Sequence, residues 1–175
     1  MKNAKMYKCV RDLQGGDFAV GEVLTAEGWG ERAYDWANSD GWEHPEECLL
    51  ENFKTEEELI SFIRDMWELD IREVFVITLE QEKEFLKCFD SGDIAGLTYL
   101  ADIICESKDA TDEIKDLACC VIKMNYLLSI CEDENYESFD KYYMEIETLY
   151  RHLRDELFQM TSLYEEDICE KRGKR

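Results

Sequence analysis

The chain has 175 residues, of which 42 are Asp or Glu and only 20 are Lys or Arg, so its formal net charge at pH 7 is −22. A surface this acidic repels nucleic acid, anionic membrane faces and acidic substrates, and it keeps the protein in solution. Hydrophobic residues make up 45% and aromatic residues 12% of the chain, which excludes an intrinsically disordered acidic polypeptide.

The sequence predicts neither a membrane span nor an export signal. It contains no run of about 18 apolar residues, and its first residues, MKNAKMYKCVRDL, lack the apolar stretch of a signal peptide. We therefore expect a cytoplasmic protein that does not contact membranes. The eight cysteines form no C-x-x-C pair and most lie in apolar segments, so we expect buried free thiols rather than disulfides.

Residues 1–54 predict a small β-rich unit. The alternating run MYKCVRDL indicates one strand, a Gly-Gly-Asp turn follows, and FAVGEVLTAE indicates a second strand. Aromatic residues between glycines are then typical of a twisted sheet with tight turns. We expect three to five short strands curled into an SH3-like barrel, which HPEECLLENF closes. The aromatic residues concerned are Trp29, Tyr34, Trp36 and Trp42.

From Thr55 onward the apolar period becomes helical, which predicts a bundle of four or five helices over residues 55–175. Thr55 and Glu58 have the spacing of a capping box at the start of the first helix, and Thr78 and Gln81 repeat that spacing. Between these two helices, REVFVI is too short for a helix and predicts a single strand.

Two long helices are predicted to end the chain as an antiparallel hairpin. The first runs from Asp109 or Thr111 to about Cys131, and its second half is apolar nearly all round, which is typical of a buried central helix. The second runs from about Tyr136 to Ile168, a length of roughly 50 Å. The predicted fold class is therefore α+β, a barrel-like unit followed by a helical bundle with a long C-terminal helix.

The sequence contains no motif of an enzyme or a cofactor site. The two histidines, His44 and His152, have no cysteine at ligand spacing, so we expect no metal site. The chain has no G-x-S-x-G elbow and no phosphate-binding loop, and we interpret the G-W-G at 28–30 as turn glycines. We therefore expect neither enzymatic activity nor a cofactor. A metal-dependent hydrolase or nuclease that uses clustered carboxylates is an alternative, and so is a self-associating helical adaptor.

The excess of acidic residues favours a basic protein as the partner. Many of the most basic surfaces in a cell are clefts that bind nucleic acid. Acidic side chains along a rigid helix can present a line of negative charge comparable to that of duplex DNA, which carries one charge per about 1.7 Å. The other interpretation is a solvated acidic surface without a dedicated partner.

Three groups of acidic residues are predicted to form the partner-binding surface. Trp29 and Trp42 are candidate aromatic anchors, with packing in the core of the barrel as the alternative for each. The acidic candidates are, in order, a turn (Glu132, Asp133 and Glu134), the outward face of the last helix (Glu137, Asp140, Glu147 and Asp155) and the start of an earlier helix (Glu56, Glu57 and Glu58).

In its short length, acidity, lack of enzyme motifs and β-plus-helix build, the chain resembles phage-encoded anti-defence proteins, the anti-CRISPR inhibitors and anti-restriction DNA mimics. The segments YKCVRDL, FAVGEVL and HPEECLLENF, over roughly residues 6–53, also resemble small barrel-like domains of phage and mobile-element proteins in Gram-positive bacteria. The resemblance implies a non-enzymatic inhibitor, in the host cytoplasm, that occupies the nucleic-acid groove of a bacterial defence nuclease such as a CRISPR effector. It carries over no functional residues, and it leaves the target and the oligomeric state open.

Overall fold

The chain forms two compact units, Met1–Val74 and Phe75–Arg175. The computed structural model describes residues 4–15, 19–133 and 139–163. Within these residues the fold class is α+β, as expected, with six α-helices and a three-stranded antiparallel sheet. The boundary predicted after residue 54 differs from the observed one, because the next helix and strand pack with the N-terminal sheet.

The first unit is built on an open sheet. Its central strand is β1 (Met6–Asp12), flanked on both sides by antiparallel neighbours, β2 (Val23–Leu24) and β3 (Leu69–Val74). The register between β1 and β3 shifts between Cys9 and Arg11. The edge strands β2 and β3 each pair with β1 but not with each other. The described residues therefore form an open sheet and not the closed SH3-like barrel that the sequence predicted.

The segment predicted as further strands of the barrel is instead a helix, α1 (Ala26–Ser39). It begins at Thr25, whose Oγ1 accepts a hydrogen bond from the backbone N–H of Gly28 at 3.1 Å, and this N-cap is a strong helix-start signal. Apolar side chains recur at three- and four-residue steps and are buried. They are Ala26, Trp29, Ala33 and Ala37.

Close approach of the backbone explains one glycine that had been interpreted as a turn residue. A Cβ atom on Gly30 would lie 3.1 Å from the carbonyl oxygen of Cys48 and 3.3 Å from Cδ2 of Leu59. Leu59 belongs to α2 (Glu56–Trp67), and Cys48 ends a 3₁₀ turn, Pro45–Cys48, that precedes a second one, Leu50–Asn52. The glycine therefore lets α1 pack tightly within the unit.

The described residues of the second unit form four helices, and consecutive helices pack together: α3 (Leu79–Ser91), α4 (Asp93–Glu106), α5 (Asp112–Asp133) and α6 (Phe139–Gln159). The capping box predicted at the start of α3 is confirmed. Gln81 donates its backbone N–H to Thr78 Oγ1 at 3.2 Å, and its Oε1 accepts from the backbone N–H of Thr78 at 3.0 Å. Among the described residues of this unit, the largest fully buried side chains are Phe85, Leu97, Leu100, Ile104 and Leu157.

The last helix ends earlier than predicted. It stops at Gln159, whereas the sequence predicted Ile168, and the predicted start at Tyr136 lies outside the described residues. The backbone beyond it pairs with Phe75, which donates its N–H to the Met160 carbonyl and accepts from the Ser162 N–H, both at 2.9 Å. That pairing requires extended backbone, so the helix cannot continue. The predicted strand REVFVI likewise ends at Val74 rather than Ile77.

Helix α5 is not buried on all sides. Its buried face carries Ile114, Ala118 and Val121, but Tyr126 is 67% exposed and Leu127 is 43% exposed. The prediction of a fully buried central helix is therefore wrong within the described residues. Apolar composition alone did not distinguish the face that packs on α4 and α6 from the face that meets solvent.

Candidate acidic interface

One face of α1 is anchored in the core of the first unit. Trp29 is completely buried, and its Nε1–H donates a hydrogen bond to the backbone carbonyl of Tyr7 in β1 at 2.9 Å. Ala33 and Ala37, one and two turns further along, are also completely buried. These contacts fix the rotation of α1 about its axis, so the opposite face points to solvent in a defined orientation.

That outward face carries three carboxylates at four-residue spacing, Glu27, Glu31 and Asp35, which we call the α1 stripe. All three residues are exposed, and within the described part of the chain none of them forms an ion pair. The nearest cation on the helix, Arg32, is bound instead to Glu22. The α1 stripe is therefore a row of unneutralised negative charge on a rigid support.

The spacing of the α1 stripe can be compared with DNA. Four residues of helix rise about 6 Å, so the stripe carries one charge per about 6 Å of helix axis. A single DNA strand carries one charge per about 3.4 Å, so the stripe has roughly half the line density of one strand. The three carboxylates span about 12 Å along the axis, a length that a few basic side chains can cover.

The predicted acidic cluster at the start of α2 is partly neutralised. Glu57 accepts from Lys5 Nζ at 2.9 Å, and Lys5 also binds Glu73 at 2.9 Å. The hydrogen bond from Lys5 holds the pKa of Glu57 below its usual range. Glu56 accepts from the Tyr7 hydroxyl at 3.4 Å, and Glu58 accepts from the backbone N–H of Lys54 at 3.0 Å. These acids stabilise local structure in addition to adding surface charge.

The predicted acids of the last helix are also paired where their side chains are described. Glu147 accepts from Arg151 at 2.7 Å, and Asp155 accepts from Arg154 at 2.8 Å. The turn predicted at Glu132 and Asp133 is instead the last turn of α5. Asp140 lies in the first turn of α6. The side chains of Glu132, Asp133 and Asp140 are not among those described, and Glu134 and Glu137 lie outside the described residues.

The two candidate tryptophan anchors have different environments. Trp29 has no exposed surface, so its assignment as a partner contact is corrected to a role in the core. Trp42 is only partly buried and stacks on Trp67, with ring centroids 5.7 Å apart and an angle of 13° between the planes. Trp42 therefore retains accessible surface on which a partner side chain can pack.

A cavity of about 320 Å³ in the second unit is lined by charged residues of both signs. The Tyr150 hydroxyl in its wall is buried without a hydrogen-bond partner, and burial raises the pKa of Tyr150 to about 12. The two arginines of the cavity are both bound to carboxylates, so no free cation is available for an anionic ligand. The charged lining residues are Asp93, Glu147, Arg151 and Arg154.

Among the described residues, no group of three His, Cys, Asp or Glu side chains could hold a metal ion. In the same residues, no helix combines the length and apolar character needed to cross a membrane. Cys9 and Cys48 are buried free thiols as expected, whereas Cys119 and Cys120 are exposed, contrary to expectation.

Comparison with known proteins gives no match: no family model, no curated protein and no solved structure matches the chain.

The sequence contained a signal for the α1 stripe that we interpreted incorrectly. Thr25 and Gly28 have N-cap spacing, and acids at positions 27, 31 and 35 recur every four residues, as on one helix face. The glycines and aromatics in the same segment are instead typical of a twisted sheet, which is the structure that the sequence predicts there. Burial of Trp29 and close packing at Gly30 account for both residue types within a helix.

Proposed function

We propose that this protein is a non-enzymatic inhibitor of a basic, nucleic-acid-handling partner, such as a bacterial defence nuclease of the CRISPR-effector class. It binds in the groove where the partner would hold nucleic acid. The observation that carries the proposal is the α1 stripe, a row of carboxylates that form no ion pair with the described residues, on a helix fixed from behind by a buried tryptophan. We assign the primary contact to this stripe, with Trp42 as a candidate anchor in the same unit.

The mechanism is competition for Lys and Arg side chains. A groove that binds phosphates presents cations whose counterions are released when an anionic ligand binds. The net charge of −22 steers a basic partner toward the protein from a distance, and the fixed carboxylates define the final register. Because α1 is already ordered, binding incurs little cost for ordering the backbone.

The arrangement of the α1 stripe is unfavourable for the isolated fold, which supports a role in binding. Glu31 lies four residues from both Glu27 and Asp35, and each like-charge pair at this spacing costs about 0.2–0.5 kcal/mol. Folding of α1 does not need these charges, because its N-cap and buried face are supplied by other residues. A partner that supplies cations removes this repulsion on binding.

The test compares two charge-matched variants. The first, Glu27→Gln with Glu31→Gln and Asp35→Asn, removes the α1 stripe. The control removes three exposed acids of the second unit, two of which are four positions apart in one helix. Both variants have a net charge of −19. The control substitutions are Asp102→Asn, Glu106→Gln and Asp116→Asn.

Each protein is immobilised and used to capture partners from a nuclease-treated bacterial lysate at 50 and 500 mM NaCl, with identification by mass spectrometry. We expect the wild type and the control to retain a basic nucleic-acid-binding protein at low salt only, and the stripe variant to retain much less of it. Loss of three exposed charge pairs, at about 0.2–1 kcal/mol each, predicts affinity weakened by about 3- to 150-fold. Equal capture by all three proteins would refute the placement on α1.

A second step tests inhibition with the purified captured protein. Adding the wild-type protein should block its binding or cleavage of a DNA duplex, and excess duplex should reverse the block if both compete for one groove. Inhibition unaffected by duplex concentration would argue against groove occupation. A variant with Glu132→Gln, Asp133→Asn and Glu134→Gln is tested in the same inhibition assay. Loss of inhibition in this variant would favour the surface that the sequence predicted, and loss in the stripe variant would favour the α1 stripe.

The self-associating adaptor is the second candidate function, and one observation favours it. Tyr126, Leu127 and Ile130 are exposed along α5 in the second unit, and exposed apolar residues are typical of association surfaces. Light scattering over a concentration series should then show a dimer whose dissociation hardly depends on salt, and Leu127→Glu should disrupt it. A monomer at every concentration would exclude this candidate.

A further inference from the structure

Two cysteines that lie 14 positions apart in the sequence meet in the second unit. Cys105 lies in the last turn of α4 and Cys119 in the second turn of α5, and their Sγ atoms are 3.6 Å apart. The residue before each of them, Ile104 and Ala118, is completely buried. The packing of α4 on α5 therefore holds the two thiols close together in a fixed position.

We propose that Cys105 and Cys119 form a redox-active dithiol that a hydroperoxide converts into an intramolecular disulfide joining α4 to α5. A disulfide bond has an S–S length of about 2.05 Å, so the sulfur atoms must approach by about 1.6 Å. Side-chain rotation at the ends of two helices can supply this movement. The inference is independent of the proposed function, since neither cysteine belongs to the α1 stripe.

The two thiols have different exposure, which assigns their roles. Cys119 is exposed and meets the oxidant, whereas Cys105 is partly buried between the helices. Burial and the hydrogen bond with Cys119 raise the pKa of Cys105 to about 11. Cys105 therefore stays protonated at neutral pH and acts second, as the resolving thiol.

The reaction balances with one hydroperoxide per disulfide. The Cys119 thiolate attacks the O–O bond of hydrogen peroxide, forming an S–O bond and releasing hydroxide, which takes up a proton as water. The Cys105 sulfur then attacks the Cys119 sulfur, so that an S–S bond forms and the S–O bond breaks. The departing hydroxide takes the proton of the Cys105 thiol, and the net products are a disulfide and two waters.

The disulfide would act as a reversible clamp on the second unit. It closes a loop of about 15 residues, and closing such a loop restricts the unfolded chain. In a reducing compartment, disulfides of this kind are transient and serve in redox sensing. A dithiol reductant such as dithiothreitol restores both thiols by exchange.

Peptide mapping of the full-length protein tests the proposal, with a variant that removes an ambiguity. Trypsin releases Cys105 together with Cys88, and Cys119 together with Cys120, so the variant Cys88→Ser with Cys120→Ser leaves one cysteine in each peptide. The reduced protein is treated with hydrogen peroxide, blocked with N-ethylmaleimide under denaturing conditions and digested without reduction. We expect peptides 88–108 and 116–123 to be joined, with a mass loss of 2 Da.

Further variants serve as controls. Cys105→Ser and Cys119→Ser should each abolish the joined peptide, while Cys120→Ser alone should retain it. In the wild type, fragmentation between positions 119 and 120 assigns the linkage without any substitution. The rate should not depend on protein concentration, and the oxidised protein should melt several degrees higher than the reduced form, as expected for a clamp of this size.

Several results would overturn the proposal. One is recovery of Cys105 and Cys119 as maleimide adducts, or as sulfinic acids, after peroxide treatment of folded protein. Another is a disulfide that forms only between two molecules. If the intramolecular disulfide forms but leaves the melting temperature unchanged, the clamp is refuted.

Discussion

At the scale of single residues, Trp29 links the sheet of the first unit to α1. Its indole ring fills the core, with the Trp36 ring centroid 6.4 Å away, and its N–H satisfies the backbone carbonyl of Tyr7. A buried carbonyl that loses its donor costs free energy, as does a smaller ring that leaves a void. The position of the α1 stripe on the surface thus depends on one side chain in the interior.

We expect Trp29→Phe to lower the free energy of unfolding by about 2–4 kcal/mol, through the lost hydrogen bond and the smaller ring. Urea unfolding followed by far-UV circular dichroism measures this, since indole fluorescence changes with the substitution itself. Trp42→Phe is the control, because Trp42 is partly exposed and phenylalanine can still stack on Trp67. Equal effects of the two substitutions would contradict the assigned roles.

Lys5 is one residue that gives the first unit a dependence on pH. It bridges Glu57 and Glu73, and both hydrogen bonds raise the pKa of Lys5 well above its ordinary value of 10.5. The pKa of Glu57 is lowered from its ordinary value of 4.5. A carboxyl group with a lowered pKa stabilises the fold at pH values above its ordinary pKa. This stabilisation disappears as the pH falls through the pKa of the folded state. A raised lysine pKa stabilises below 10.5, and its contribution disappears as pH rises through the folded value.

Comparison of Lys5→Met with the wild type tests this assignment. The melting temperature of the variant should be lower than that of the wild type by a constant amount between about pH 5 and pH 10. Lys5 and Glu57 both stay charged in the wild type throughout that range. The difference should shrink in acid, as the pH falls from the ordinary Glu57 pKa of 4.5 through its lowered value in the folded protein and Glu57 becomes protonated. Lys108→Met, which makes the same charge change at an exposed loop position, is the control. A difference that persists unchanged in acid would disprove the role of Glu57.

At the scale of secondary-structure elements, the sequence predicted helices wherever local signals agreed. Thr78 and Gln81 gave the capping box of α3, and the helical period gave the four helices of the second unit. It failed at α1, because Trp29 and Gly30 have low helix propensity and only tertiary packing explains them. That error hid the α1 stripe, and the residue-level site prediction moved to other acids.

The end of α6 could not be predicted for a related reason. Nothing in the local sequence marks Gln159 as the last helical residue, since apolar residues recur beyond it. The helix stops because the backbone at Met160 and Ser162 pairs with Phe75, which lies 85 positions earlier in the chain than Met160. Contacts this distant in sequence leave no periodic signal.

For α1 itself, we expect Glu31→Gln to raise the free energy of unfolding by about 0.4–1 kcal/mol at low salt, because it removes two like-charge pairs at once. The gain should decrease at 0.5 M NaCl as the repulsion is screened. Urea unfolding at both salt concentrations measures it. Glu43→Gln, which removes one charge from an exposed loop, is the matched control. Equal effects of the two substitutions would show that the α1 stripe is not under electrostatic strain.

At the scale of the whole molecule, the negative charge is divided almost evenly between the units. Residues 1–74 carry 18 acidic and 8 basic residues, a net charge of −10, and residues 75–175 carry 24 and 12, a net charge of −12. Each unit therefore has a net negative charge and repels itself, although the last five residues, KRGKR, are basic. In the proposed binding mode, the entire surface would attract a basic partner from a distance, while the few rigidly held carboxylates would provide specificity.

Self-repulsion of this size makes stability dependent on ionic strength. The Debye length shortens from about 30 Å at 0.01 M to about 8 Å at 0.15 M salt, so distant like charges cease to interact. We expect the melting temperature to rise by several degrees between 10 and 300 mM NaCl. The six-charge variant that combines the α1 stripe substitutions with the control triple, at net −16, should show a smaller rise. Sucrose is the control, because it stabilises folded proteins without screening charge. A difference between the wild type and the six-charge variant that appears with salt but not with sucrose is due to screening.

The same measurement bears on the alternative of a carboxylate metal site. In 150 mM NaCl, screening is nearly complete, so submillimolar MgCl₂ or MnCl₂ adds almost no ionic strength. A specific site would still raise the melting temperature in a saturable way, because a ligand that binds only the folded state stabilises it by mass action. We expect no such rise, and the response to salt should depend on ionic strength alone. A saturable increase that disappears on chelation would favour a metal-dependent enzyme over an inhibitor.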